Sequence, residues 1–103
     1  MELSIESFEI SVGKALIKAN GDIDIATVEL LINAIDKQEK KLIVLDLSGV
    51  TFIDSTGVGL IVHKILESRE RGMEVKLESI PEPIHNVLEE MGIYEILNEL
   101  EGR

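Results

Sequence analysis

The sequence predicts an α/β fold, a single domain with a mixed sheet of four or five strands packed with three to four helices, in the order β-β-α-β-α-β-α with a tail. Three observations predict it. Apolar residues alternate with a period of two near the start, change to the 3.6-residue period of a helix after Asp24, and the two periods then take turns along the chain. A continuous apolar run, KLIVLDL at 41–47, sits near the centre, as a strand covered on one face or both would. Helical stretches separate the later strands and supply the crossover that parallel pairing requires, whereas a tight turn joins the first two.

LSIESFEI and KALIKAN alternate on either side of Val12-Gly13-Lys14, which reads as the turn of an antiparallel hairpin. NGDID at 20–24 then breaks the pattern. Val28, Leu31, Ile32 and Ile35 form the apolar stripe of a first helix, with Asp24 or Thr27 as its candidate N-cap. The central run leads into SGVTFID, which is rich in turn formers and is expected to be a loop. Val58, Ile61, Val62, Ile65 and Leu66 make a second helical stripe that ends near Gly72, a candidate C-cap. MEVKLES is a short alternating strand. Pro81 and Pro83 open a third helix near its first turn, where missing N–H groups do no harm, and Ile84, Val87, Leu88 and Met91 form its stripe. IYEILNEL fits either a terminal helix or a short strand.

A chain of 103 residues is expected to form one domain over 1–103 and to bury one core without help from metals or disulfides. Aromatic residues are only 3% of it, so Ile, Leu and Val must fill that core. The absence of cysteine excludes disulfides, thiolate zinc sites and cysteine nucleophiles. Net charge is −10, which argues against direct nucleic acid binding and against anionic membrane surfaces, and favours a basic partner. Lys37, Lys40 and Lys41 form a basic cluster that reads as a solvated connection between elements. MELSIESF has no basic n-region or apolar h-region, and no apolar run approaches the roughly 18 residues of a membrane span. A cytoplasmic location without membrane association is expected.

FIDSTGVG at 52–59 carries the chemistry of interest. Either Asp54 or Ser55 can cap the second helix, a contribution of about 1 kcal/mol. Gly57 and Gly59 each weaken a helix by about 0.8 to 1 kcal/mol relative to Ala, so they require another reason. Close packing on the sheet is one reason, and approach of another molecule is the other. At 100° per residue the buried stripe centres near Val58, and Thr56, Leu60, His63 and Glu67 project from the opposite side. Leu60 is therefore an apolar residue on a face expected to be wet, a possible docking spot beside two hydroxyls.

Enzymatic and metal-binding readings find little support. A nucleophile elbow needs glycine two residues before the serine, where Ile53 stands. GVGLIV lacks the third glycine of a dinucleotide fingerprint because Val62 occupies it, and no P-loop is present. DIDIAT offers Asp22 and Asp24 but no third oxygen ligand at Ala26, and two histidines without cysteine leave no zinc set. His63 and His85 read as surface helix residues. No catalytic residue, cofactor or metal is expected.

Taken together, GDID at 21–24, VLDLSGVTFIDSTGVGLIV at 44–62, the glycine before MEVKL, and VLEEMGI at 87–93 resemble the STAS domain of the bacterial anti-sigma factor antagonist family over essentially the whole chain. The resemblance implies a non-enzymatic switch. An unphosphorylated antagonist binds an anti-sigma factor, commonly also the serine kinase, and frees a sigma factor, and a serine phosphatase resets the cycle. Ser55 matches the family's phospho-acceptor, with Thr56 as a second hydroxyl. The partner surface implied is Asp24, Asp54, Ser55, Thr56, Gly57, Gly59, Leu60 and His63. The alternatives are a STAS scaffold subunit of a larger signalling assembly, or a small-ligand or nucleotide site at the helix N-terminus beside Ser55.

Overall fold

The computed structural model describes residues 2–101. Strand β1 (Leu3–Ser11) turns at Val12 and Gly13 and returns as β2 (Lys14–Ile23), antiparallel to it. Helix α1 (Val28–Asp36) carries the chain over to β3 (Leu42–Ile53), which pairs parallel with β2. Helix α2 (Ser55–Glu70) leads to β4 (Glu74–Glu78), parallel to β3, and α3 (Glu82–Glu90) and α4 (Ile93–Glu101) follow. The strands lie in the order β1-β2-β3-β4, a mixed four-stranded sheet.

Strand periodicity places one face inside. Ile17 and Ala19 of β2, Ile43, Leu45 and Leu47 of β3, and Val75 of β4 join Val28, Leu31 and Ile35 of α1, Val58, Ile61 and Ile65 of α2, Ile84 and Leu88 of α3, and Ile93 of α4 in one core cluster. All four helices therefore cover the same face. The alternate residues of the sheet face the other way, where Val44 is nonetheless buried between its register neighbours Leu16 and Lys76.

Several boundaries differ from the sequence expectations. SGVTFI is strand, not loop, because β3 continues to Ile53. The parallel ladder with β2 holds it there: Gly49 pairs with Asn20, Val50 with Gly21, and Phe52 with Asp22, and two register shifts absorb the irregular residues. For the same reason β2 does not break at NGDID but runs on through Ile23. Tertiary pairing overrides weak local strand propensity in both. The terminal segment is helical, and burial of Ile93 against the core fixes that outcome. Met91, placed on the third helical stripe, is 38% exposed at the C-cap of α3, past the last turn that faces the sheet.

Helix α2 stops as expected. Gly72 has a φ of +82°, which L-residues avoid, and its N–H donates to Arg69 O at 3.0 Å while that of Met73 donates to Ser68 O at 2.9 Å. Lys40 pairs with Glu9 at 2.8 Å, so part of the basic cluster ties the α1–β3 connection to β1. Lys64, on α2, is only 8% exposed and holds Asp36 of α1 at 2.7 Å and Glu67 at 2.8 Å. These bonds to Asp36 and Glu67 raise the Lys64 pKa, and the ammonium lowers that of Glu67. No helix among the described residues is long and apolar enough to cross a membrane.

Candidate functional site at the start of the second helix

Parallel pairing brings the ends of β2 and β3 together. Ile23 is in register with Ile53, and the N–H of Asp54 donates to Ile23 O at 3.2 Å. Helix α1 starts beyond β2 and α2 beyond β3, so two helix starts and their loops share one end of the sheet. Carboxyl ends of parallel strands are where open α/β sheets place binding sites.

At α2 the cap is Asp54, in extended backbone conformation, whose Oδ1 accepts the Gly57 N–H at 2.7 Å. Ser55 is thereby released from capping and becomes the first helical residue, exposed together with Thr56. Leu60 is 41% exposed and His63 projects beside it, 3.7 Å from Glu67. The helical wheel placed Thr56, Leu60, His63 and Glu67 away from the core, and the first three are exposed while Glu67 is half-buried by its bond to Lys64.

The two glycines separate cleanly. A Cβ on Gly57 would stand 2.9 Å from Ile23 Cγ2 and 3.0 Å from Ile23 O, so close packing of α2 on β2 demands glycine there. A Cβ on Gly59 would meet nothing within 4 Å. Packing accounts for the first glycine and leaves the second, exposed beside Leu60, without a packing reason.

At α1 the N-cap position falls on Thr27, which makes no side-chain cap bond, while Asp24 closes the turn just before it, its Oδ1 accepting the N–H groups of Ala26 at 2.9 Å and Thr27 at 3.1 Å. The Thr27 hydroxyl instead accepts the Asp24 N–H at 3.0 Å and donates to Asp22 O at 2.7 Å. Asp22 is 9% exposed and its Oδ1 accepts the Thr51 hydroxyl at 2.9 Å. This network braces the β2–α1 loop against the end of β3. Asp24, Asp54, Ser55 and Thr56 thus lie at one end of the sheet, with Gly59, Leu60 and His63 continuing along α2.

Sequence reasoning missed two apolar members of this end. Ile25, in the β2–α1 loop, is 73% exposed, and Phe52, opposite Asp22, is 46% exposed. The signal for Ile25 was present in DIDIAT, where an apolar residue follows the last strand residue by two and has no helix stripe to join. Phe52 was hidden by its assignment to a loop. Among the described residues no cluster of three metal-ligating side chains occurs.

The family model described as the STAS domain matches residues 7–101. A curated relative, the anti-sigma F factor antagonist of Paenibacillus polymyxa, is 28% identical over 94% of this chain and 86% of its own. The structure of the anti-sigma factor antagonist SpoIIAA in its unphosphorylated form matches with a TM-score of 0.72 at 18% identity, over 97% of this chain and 98% of that one. A structure of Mglu matches with a TM-score of 0.67 at 24% identity over 79% of this chain, which spans only 20% of that longer protein. At these identities the two structures speak for the fold.

Proposed function

The chain belongs to the STAS domain family, and on that premise we propose that it is an anti-sigma factor antagonist, a protein-binding module without catalytic activity of its own, switched by phosphorylation of Ser55. The observation that carries this reading is the exposure of Ser55 at the first residue of α2, with Asp54 taking the capping role. A hydroxyl so placed is open to a kinase, which supplies base and nucleotide itself. The relatives named as antagonists support the partner class: the unphosphorylated chain binds an anti-sigma factor and releases a sigma factor, and a serine phosphatase restores the binding form.

Phosphorylation would add a charge of about −1.5 to −2. At a helix N-terminus the dipole favours that anion by roughly 0.3 to 1 kcal/mol, so the fold tolerates it. In an interface the sign reverses. Asp54 adjoins the phosphate and Asp24 stands at the same end of the sheet, and desolvating these like charges against a partner costs several kcal/mol, which outweighs the dipole. Gly59, Leu60 and Ile25 supply the neutral, apolar ground on which the unmodified form docks.

The test is calorimetric titration of the cognate anti-sigma factor with wild-type chain, Ser55→Ala and enzymatically phosphorylated protein. Wild type and Ser55→Ala bind alike, and the phosphorylated form binds weaker by about a hundredfold, equivalent to about 2.8 kcal/mol. Equal affinity of the modified and unmodified forms refutes the switch.

A further inference from the structure

Away from the Ser55 surface, β1 forms one edge of the sheet. The N–H of Asp22 donates to Glu2 O at 3.0 Å, which fixes the ladder: Glu2, Ser4, Glu6 and Phe8 bond toward β2. By the alternation of an antiparallel pair, the N–H and C=O groups of Leu3, Ile5 and Ser7 point off the sheet. Edge strands are ordinarily blunted by shortness, proline, lysine or a bulge. Strand β1 is nine residues long, contains neither proline nor lysine, and has its irregularity only at Glu9/Ser11, beyond this stretch.

The two sides of this edge differ in chemistry. On the helical side, Leu3, Ile5 and Ser7 border a groove of about 500 Å³ whose far wall is α1, with Leu30, Ala34 and Lys37. Leu30 is 52% exposed there, although it belongs to an otherwise packed helix. On the opposite side the strand shows Glu2, Ser4, Glu6 and Phe8. The closest hydrogen-bond partner of Glu6 among the described residues is Asn20, at 3.4 Å, and its register neighbour Lys18 forms no ion pair with it.

We propose that the free edge of β1 takes up an extended, basic segment of a partner protein as a fifth strand. Leu3 is buried, so main-chain groups of Ile5 and Ser7 supply the hydrogen bonds. Alternate side chains of the incoming strand select it: apolar ones enter the groove beside Leu30, along the methylene stem of Lys37, and Lys or Arg residues on the other side meet Glu2 and Glu6. Charge complementarity decides the occupant, since a second copy of this chain presents the same carboxylates and the same net charge of −10.

The experiment uses a fluorescein-labelled decapeptide of alternating valine and lysine, with a valine–glutamate peptide as comparison. Anisotropy is expected to show saturable binding of the lysine peptide alone, and amide exchange followed by NMR slows at Ile5 and Ser7. Ser7→Pro removes one outward N–H without touching the β1–β2 ladder, and it weakens binding by about fivefold, the worth of one hydrogen bond. That variant leaves net charge unchanged and so separates strand addition from diffuse attraction. If Ser7→Pro fails to fold, Leu30→Ser decides, because it also leaves net charge unchanged and, by removing the exposed apolar wall of the groove, weakens the lysine peptide severalfold. Absence of saturable binding, binding indifferent to these substitutions, or a sedimenting dimer that dissociates on Ser7→Pro overturns the proposal, the last in favour of self-pairing.

Discussion

The glycines at the start of α2 give the sharpest prediction, since alanine at each has an opposite expected sign. In Gly57→Ala the new methyl would lie 2.9 Å from Ile23 Cγ2, 3.0 Å from Ile23 O and 3.3 Å from Asp54 Oδ1. Ile23 is fully buried, and its carbonyl accepts the Asp54 N–H, so neither neighbour has room to give. Overpacking of this kind costs about 1–3 kcal/mol, against a gain of about 0.8–1 kcal/mol in helix propensity. A net loss of about 1 kcal/mol follows, which lowers Tm by about 4–8 °C in a chain of this size. In Gly59→Ala no atom stands within 4 Å, so only the propensity gain of about 0.8–1 kcal/mol remains and Tm rises by a few degrees. Thermal unfolding by circular dichroism, with urea titration for ΔG, measures both. A stabilised Gly57→Ala or a destabilised Gly59→Ala refutes the packing assignment. Loss of partner binding in Gly59→Ala, whose fold is intact, places that open face in the interface.

Asp54→Ala removes the N-cap and is expected to cost about 1 kcal/mol in urea unfolding, whereas Asp54→Asn keeps the acceptor and loses at most a few tenths. Thr51→Val deletes the hydroxyl bonded to the largely buried Asp22, and a loss of about 1–2 kcal/mol is expected in the same assay. Lys64 lowers the pKa of Glu67, so this contribution to stability is present above the unfolded-state pKa of a glutamate and is lost as pH falls through the lower folded-state value. The raised pKa of Lys64 makes its own contribution complete at neutral pH and lost only at strongly alkaline pH. NMR titration should find the Glu67 midpoint below the ordinary glutamate range in wild type and back within it in Lys64→Met.

Periodicity alone sets out much of this protein. Val28, Leu31 and Ile35, then Val58, Ile61 and Ile65, then Ile84 and Leu88 are stripes in the sequence and core residues in the fold, because a helix fixes which side chains share a face within a few residues. The hairpin at Gly13 and the placement of Ser55 at a helix start are equally local, and the family signature sits on those residues. What lay beyond reach depends on partners distant in the chain. SGVTFI becomes strand only because β2 lies alongside, and Asp54 rather than Ser55 caps α2 only because Asp54 continues the ladder from Ile23. The burial of Lys64 requires Asp36 to arrive from α1. Gly57 and Gly59 look alike in sequence, and the approach of Ile23 to one and not the other gives them different reasons to exist. Local composition encodes which faces are apolar and where helices start and stop. Which backbone comes to rest within an atom's width of another is settled only when the strands pair.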